Sequence, residues 1–149
     1  MTVKTDRYDA LKLENQLCFP LYAVAKEIVK KYKPYLDELD LTYTQYIAML
    51  VLWENKSMGV KELGKHLYLD SGTLTPLLKK LENKGYITRE RSKEDERNLI
   101  ISITKEGEAL KDKAVTVPAK VGKCVCMDAK DAIKLRDQLY GILEEITDI

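Results

Sequence analysis

Three cysteines, one histidine, one phenylalanine and four prolines in 149 residues leave little material for several common kinds of function, and the charges almost cancel, 25 basic against 24 acidic for a net +1. An odd number of cysteines does not suggest a closed disulfide framework, and a chain of this length can bury a core without one. The single histidine, His66, offers no metal cluster and reads as a solvated helix residue. There is no glycine-rich phosphate loop, no paired-histidine motif and no Ser/His/Asp ordering, so no catalytic residue, metal or cofactor is expected. The longest wholly apolar run, Ile47 to Trp53, is far below the roughly 18 residues that suggest a membrane span. Met1 to Arg7 carry no apolar core or small-residue cleavage site, so a cytoplasmic location is expected. With 45% apolar residues the composition is ordinary for a globular protein, and one domain is the default. A net charge near zero names no partner, so any basic surface must be sought in where the charges sit.

What is present is helical periodicity. Leu13, Leu17, Leu21, Val24 and Ile28 recur at spacings of three and four, predicting an amphipathic helix that Pro34 ends. Pro20 lies inside the pattern, so the helix is kinked there or begins there. Thr42 and Gln45 fit a capping box ahead of the apolar run to Trp53. Further helices are expected over Val60–Leu67 and from about Ser71 to Lys84, where Gly85 suits a left-handed stop. Only Tyr68, Leu69 and Asp70 separate these two, the spacing of a helix-turn-helix. Tyr86 to Arg91 and Asn98 to Ile103 then read as a hairpin around a charged tip, with Leu99, Ile101 and Ile103 on the core face of the returning strand. Thr104 caps a helix to about Val115, broken at Pro118, and a last helix runs from a cap at Asp128 to about Ile146. The expected fold is mainly α with a small β-hairpin wing, a winged helix-turn-helix. Its core spans about residues 42–107, flanked by helices over about 8–36 and 108–149 within one domain. The flanking helices are too apolar on one face to stay exposed. A homodimer would bury them and set two recognition helices about 34 Å apart, one DNA turn.

The fourth helix opens with hydroxyls at Ser71, Thr73 and Thr75, followed by Lys79 and Lys80. Short hydroxyls at a helix start cap it, for which Ser71 alone would suffice, or donate to phosphates and base edges. From Lys79 to Lys93, six basic residues, Arg89 and Arg91 among them, face two acidic ones, a local +4 hidden in the near-neutral total. Asp95 and Arg97 lie two apart at the wing tip, so the carboxylate is expected to hold the guanidinium extended for a narrow minor groove. The partner these features imply is double-stranded DNA with a palindromic operator.

Cys18 is the chemical candidate. Taken alone it also suits a small core residue. With Pro20 in the first turn of a helix, however, Cys18 stands at that helix's N-terminal end, where unpaired amides and the dipole favour a thiolate. Phe19, Tyr22, Tyr32 and Tyr43 are near in sequence or on adjoining elements, and nine tyrosines against one phenylalanine is an unusual ratio. Cys124 and Cys126 fall in an expected loop before the last helix, where either thiol can resolve a sulfenic acid on Cys18 into a disulfide. As a metal pair they are less suited, since zinc spacings leave two to four residues between cysteines.

Several segments together resemble the MarR family of winged-helix repressors, and within it the organic-hydroperoxide sensors. They are Leu13 to Phe19, Tyr32-Lys33-Pro34, Leu41 to Tyr46, Tyr68 to Lys79, and Asp95-Glu96-Arg97 leading to Thr104 to Gly107. The resemblance implies that Cys18 is the peroxide-sensing thiol, hydrogen-bonded in the reduced dimer by Tyr32 and Tyr43 of the facing subunit. It further implies oxidation to sulfenic acid, an intersubunit disulfide and release of the operator, with Cys124 as first choice of partner and Cys126 as second. Two resolving candidates in place of one is a departure from the family pattern. An alternative is a repressor of the same family released by a small aromatic ligand, with passive thiols. A thiol peroxidase would use the same cysteines but leaves the winged motif without a role.

Overall fold

Proline and capping side chains set where this chain becomes helical. The computed structural model describes residues 6–147. Asp9–Leu11 and Leu13–Asn15 form two short 3-10 turns, and α1 runs from Cys18 to Asp37. The apolar stripe is therefore not one helix from Leu13. Asn15 Nδ2 donates to Asp9 O at 2.8 Å and Gln16 Nε2 to Ala10 O, which ties the leading segment into turns. A start at Cys18 also puts Pro20 in the first turn, where its missing N–H is not needed. Pro34 does not end α1. Losing one backbone bond costs roughly 3 kcal/mol. Beyond it, however, Leu36 and Leu39 are seated in the core at 2% and 4% exposure, and their burial holds the helix through to Asp37.

The capping box is present: Thr42 Oγ1 accepts from Gln45 N–H at 3.3 Å, Gln45 Oε1 accepts from Thr42 N–H at 3.0 Å, and α2 spans Tyr43–Asn55. After α2 come a three-residue strand β1 (Ser57–Gly59), α3 (Val60–Leu67) and α4 (Ser71–Asn83). Gly85, at φ +78°, turns the chain into β2 (Ile87–Arg91). β3 (Leu99–Ile103) returns antiparallel to it, Arg89 opposite Ile101. β1 was not expected. It pairs with the other side of β3, giving the order β1-β3-β2, and Met58 opposite Ile101 buries its side chain. Three residues are too few to show a period in sequence. Thr104 caps α5 (Lys105–Ala114), α6 (Val117–Gly122) has Pro118 in its first turn, and Asp128 caps α7 (Ala129–Ile146).

The core is built where α2, α3, α4 and the sheet meet, with Ala48, Met49, Leu52, Leu63, Leu81 and Ile101 fully buried. α6 packs on α1 through buried Val117 and Val121. α7 differs: none of its described residues is buried, although Ile133, Leu135, Ile142 and Ile146 are large and apolar.

Candidate nucleic-acid interface and thiol site

The turn between α3 and α4 is closed by the absence of a side chain. A Cβ on Gly64 would stand 2.8 Å from Leu69 O and 3.0 Å from Leu74 Cδ1, so the two helices meet this closely only with glycine there. Tyr68 makes the corner in the left-handed region, at φ 54°. The cap of α4 is Asp70, whose Oδ1 accepts from Thr73 N–H at 2.8 Å, and not Ser71. The carboxylate one residue earlier reaches the free amide, which releases Ser71 from that task. Leu74, Leu77, Leu78 and Leu81 are buried, so Ser71, Thr73, Thr75, Lys79 and Lys80 share the opposite, exposed face. Thr75 Oγ1 donates back to Ser71 O at 2.8 Å, leaving its oxygen free to accept.

The basic stripe is smaller than the charge count suggested. Arg89 is turned inward: Nε and Nη2 donate to Glu82 Oε2 at 2.9 and 2.7 Å, and its side chain is only 19% exposed. It ties β2 to α4 and is not presented to a ligand. Lys84 is likewise engaged, with Asp40 Oδ2 at 3.3 Å. Lys79, Lys80, Lys93 and Arg97 are exposed and make no ion pair among the described residues. At the wing tip Asp95 does not hold the Arg97 guanidinium. Its Oδ1 accepts from Arg97 N–H at 3.0 Å and its Oδ2 from Asn98 Nδ2 at 3.3 Å, so the carboxylate shapes the turn itself. A backbone amide two residues on is simply nearer than a long side chain's end. Arg91 Nη1 donates to Glu96 O at 2.9 Å and braces the same tip. Sequence reading missed Lys61 and Lys65. Both are exposed and line, with Ser71, a cleft of about 540 Å³ between α3 and α4. Extending the charge count across the turn would have found them.

Cys18 is the first residue of α1 and is exposed, as are its neighbours Leu17 and Phe19. Tyr22 is exposed too, with Lys26 Nζ 5.8 Å from its ring centroid. Tyr32 and Tyr43 are elsewhere. Fourteen residues of helix separate Cys18 from Tyr32, a rise of about 21 Å. Tyr32 packs edge-on against Tyr43 at 5.0 Å between centroids and lies 5.7 Å from Tyr46, a member of the cluster that sequence reading did not single out. Burial pushes the phenols of Tyr32 and Tyr43 above their ordinary range, and burial with its tyrosine neighbours takes Tyr46 up to about 12. All three are therefore hydroxyl donors at neutral pH. The predicted pocket is thus split within one chain, with Cys18, Phe19 and Tyr22 at one end of α1 and the tyrosine cluster at the other.

Cys124 and Cys126 are free and exposed in the segment before α7. Cys124 donates weakly to Lys120 O at 3.7 Å and shares a groove with Val24, Glu27 and Lys31 of α1. A larger cleft of about 680 Å³ lies between α7 and the rest, lined by Val24, Tyr43, Ile47, His66, Leu139 and Tyr140 among others. Across this cleft α7 faces both Tyr43 of the tyrosine cluster and the end of α3. Among the described residues, no helix is long and apolar enough to cross a membrane.

Residues 30–114 match the family described as transcriptional regulator SarA/Rot. The chain is 50% identical over 141 residues to the organic hydroperoxide resistance transcriptional regulator of Bacillus subtilis strain 168, covering 95% of this chain and 96% of that one. Among solved structures, reduced AbfR bound to DNA, from a protein of Staphylococcus epidermidis, aligns with a TM-score of 0.75 at 34% identity, over 92% of this chain and 95% of that one. The disulfide-formed AbfR aligns at 0.64 with the same 34% identity, over 89% and 93%. The matched family and the Bacillus subtilis relative are named as regulators of transcription, and the chain aligns more closely with the reduced, DNA-bound form of AbfR than with its disulfide form.

Proposed function

The chain belongs to the SarA/Rot family of MarR-type winged-helix transcriptional regulators, and we propose that it is a homodimeric, cytoplasmic repressor that senses organic hydroperoxide at Cys18 and then releases a palindromic operator. The observation that carries this reading is the split site. Cys18 stands exposed at the start of α1 with no side-chain hydrogen bond among the described residues, while Tyr32, about 21 Å further along that helix, gathers with Tyr43 and Tyr46 of α2. In this reading a second copy running past the first brings its Cys18 to Tyr32 and Tyr43. The apolar faces of α1 and α7 supply the surface for that pairing.

In this reading, residues of about 42–107 form the DNA-binding unit, and the helices of about 8–36 and 108–149 the dimer. Ser71, Thr73, Thr75, Lys79 and Lys80 meet the major groove, and Arg97 enters the minor groove from the wing. Oxidation runs in two steps. The Cys18 thiolate attacks the hydroperoxide and takes one oxygen, giving a sulfenic acid and an alcohol. The sulfenic acid then condenses with the thiol of Cys124, or of Cys126, from the facing subunit, giving a disulfide and water. That bond pulls on the segment at the start of α7. α7 is a rod of about 27 Å, and its far half, Tyr140 and Leu143, lines one cleft with His66 and Leu67 of α3. Displacing it moves the helix-turn-helix. The ligand-released alternative has less support, since a relative so similar over almost its whole length is named for organic hydroperoxide. The same resemblance argues against turnover of peroxide as an enzyme.

The test is fluorescence anisotropy on a palindromic duplex, with non-reducing electrophoresis, before and after one equivalent of an organic hydroperoxide. The wild type is expected to release DNA and form a covalent dimer. Cys18→Ser is expected to bind DNA as before and to do neither. Release in Cys18→Ser equal to wild type would sink the reading.

A further inference from the structure

A disulfide between Cys18 and the facing Cys124 uses one thiol of the loop and leaves the other two residues away. No helix or strand passes through Cys124 to Met127. The chain bends at Val125, Val125 N–H donates to Gly122 O at 3.2 Å, and Met127 N–H donates to Val125 O at 2.8 Å in a tight turn around Cys126. Cα atoms two apart in a bent chain lie within about 7 Å, inside the reach of a disulfide. Both thiols are exposed and neither backbone position belongs to a ladder that closure would break.

Resting on the sensing reading above, we propose that Cys124 and Cys126 form a redox dithiol that takes the disulfide over from Cys18. The thiolate of Cys126 attacks the sulfur of Cys124 in the intersubunit bond. The bond between Cys124 and the facing Cys18 breaks, Cys18 leaves as thiolate, and a Cys124–Cys126 disulfide closes within the loop. No further oxidant enters: the two oxidising equivalents delivered by the hydroperoxide move from the interface to the loop. The exchange is favoured by proximity, because Cys126 is tethered beside its target, whereas the intersubunit bond holds two bodies away from their reduced packing. Afterwards the dimer is no longer cross-linked, Cys18 is reduced, and the protein can rebind DNA. A second equivalent of hydroperoxide then meets a Cys18 with no free resolving thiol and leaves it as sulfenic acid. The device makes release transient: it lasts only as long as the intersubunit bond that displaces α7.

The experiment treats the reduced full-length wild type, Cys124→Ser, Cys126→Ser and Cys18→Ser with one equivalent of cumene hydroperoxide. Samples are quenched in time with a thiol alkylator, followed by non-reducing electrophoresis and peptide mapping. The wild-type covalent dimer is expected to rise and then decay at least tenfold faster than that of Cys126→Ser. It should end as a monomer on the gel with Cys124 joined to Cys126 and Cys18 alkylated. DNA anisotropy should recover over the same interval in the wild type and not in Cys126→Ser. A wild-type dimer as persistent as that of Cys126→Ser overturns the relay while leaving the sensor intact. Loop disulfide forming equally fast in Cys18→Ser overturns it as well, because the loop would then be oxidised directly. A dimer in Cys124→Ser but not in Cys126→Ser overturns the stated order of attack. No covalent dimer in either loop variant is the distinct failure of the intersubunit reading itself.

Discussion

Arg89 and Arg97 carry the same charge eight residues apart and do different work. Arg97 is exposed at the wing tip with its guanidinium free of any ion pair among the described residues, so Arg97→Ala is expected to weaken operator binding by about 1–3 kcal/mol, some five- to hundredfold, with Tm unchanged. Arg89 holds Glu82 with two nitrogens, so Arg89→Ala is expected to cost about 1 kcal/mol of stability, seen as a lowered Tm, and to affect DNA only through a loosened wing. Thermal melts and anisotropy on both variants separate the roles. The tyrosines give a second check. Tyr46 is 2% exposed and titrates at about 12, against about 10 in the unfolded chain. Between those values the folded state holds a proton that the unfolded state has lost, so stability is fully present below pH 10 and falls by about 2 kcal/mol as pH rises through 12. Absorbance titration of the phenolates beside denaturant melts at pH 9 to 12 checks it, and Tyr46→Phe should flatten part of the decline. Which arginine was free could not be read from sequence. Arg89 and Glu82 are seven residues apart on different elements, and only the packing of β2 on α4 makes them neighbours.

Elements were more legible where the deciding contact is local. Thr42 with Gln45, Thr104, Asp128 and Gly85 each set a boundary through a bond or dihedral within three or four residues, and each boundary lies where those residues put it. The start of α1 was legible only through Pro20, whose place in a first turn puts Cys18 at the helix end, because the leucine spacing runs on unbroken through Leu13 and Leu17 while the chain there is tied into turns. The end of α1 was misread for the opposite reason: Pro34 is a local stop signal, overridden by the burial of Leu36. At this scale Gly64 is the sharpest test. Gly64→Ala puts a methyl group against the carbonyl of Leu69, and is expected to cost about 1–3 kcal/mol and to misalign α4 on α3. The measurement is a melt with anisotropy at a temperature where the variant is folded. Full DNA affinity there would mean that the turn has slack the geometry does not show.

For the whole molecule, the exposed apolar side chains Ile133, Leu135, Ile142 and Ile146 of α7 are left uncovered by the described residues of one chain. Ile142→Asp is expected to convert a dimer into a monomer by analytical ultracentrifugation and to abolish high-affinity binding to the full palindrome, leaving weak half-site binding. A variant that remains dimeric would place the interface elsewhere. By itself the sequence determined the order of the helices, the hairpin, the three-residue turn and the cysteines worth asking about, because caps, turns and apolar periods act over a few residues. Only the tertiary structure decided which charges are free, that a third strand completes the sheet, and that Cys18 and the tyrosine cluster lie at opposite ends of one helix. Those depend on residues far apart in sequence meeting, or failing to meet, once a common core has been buried.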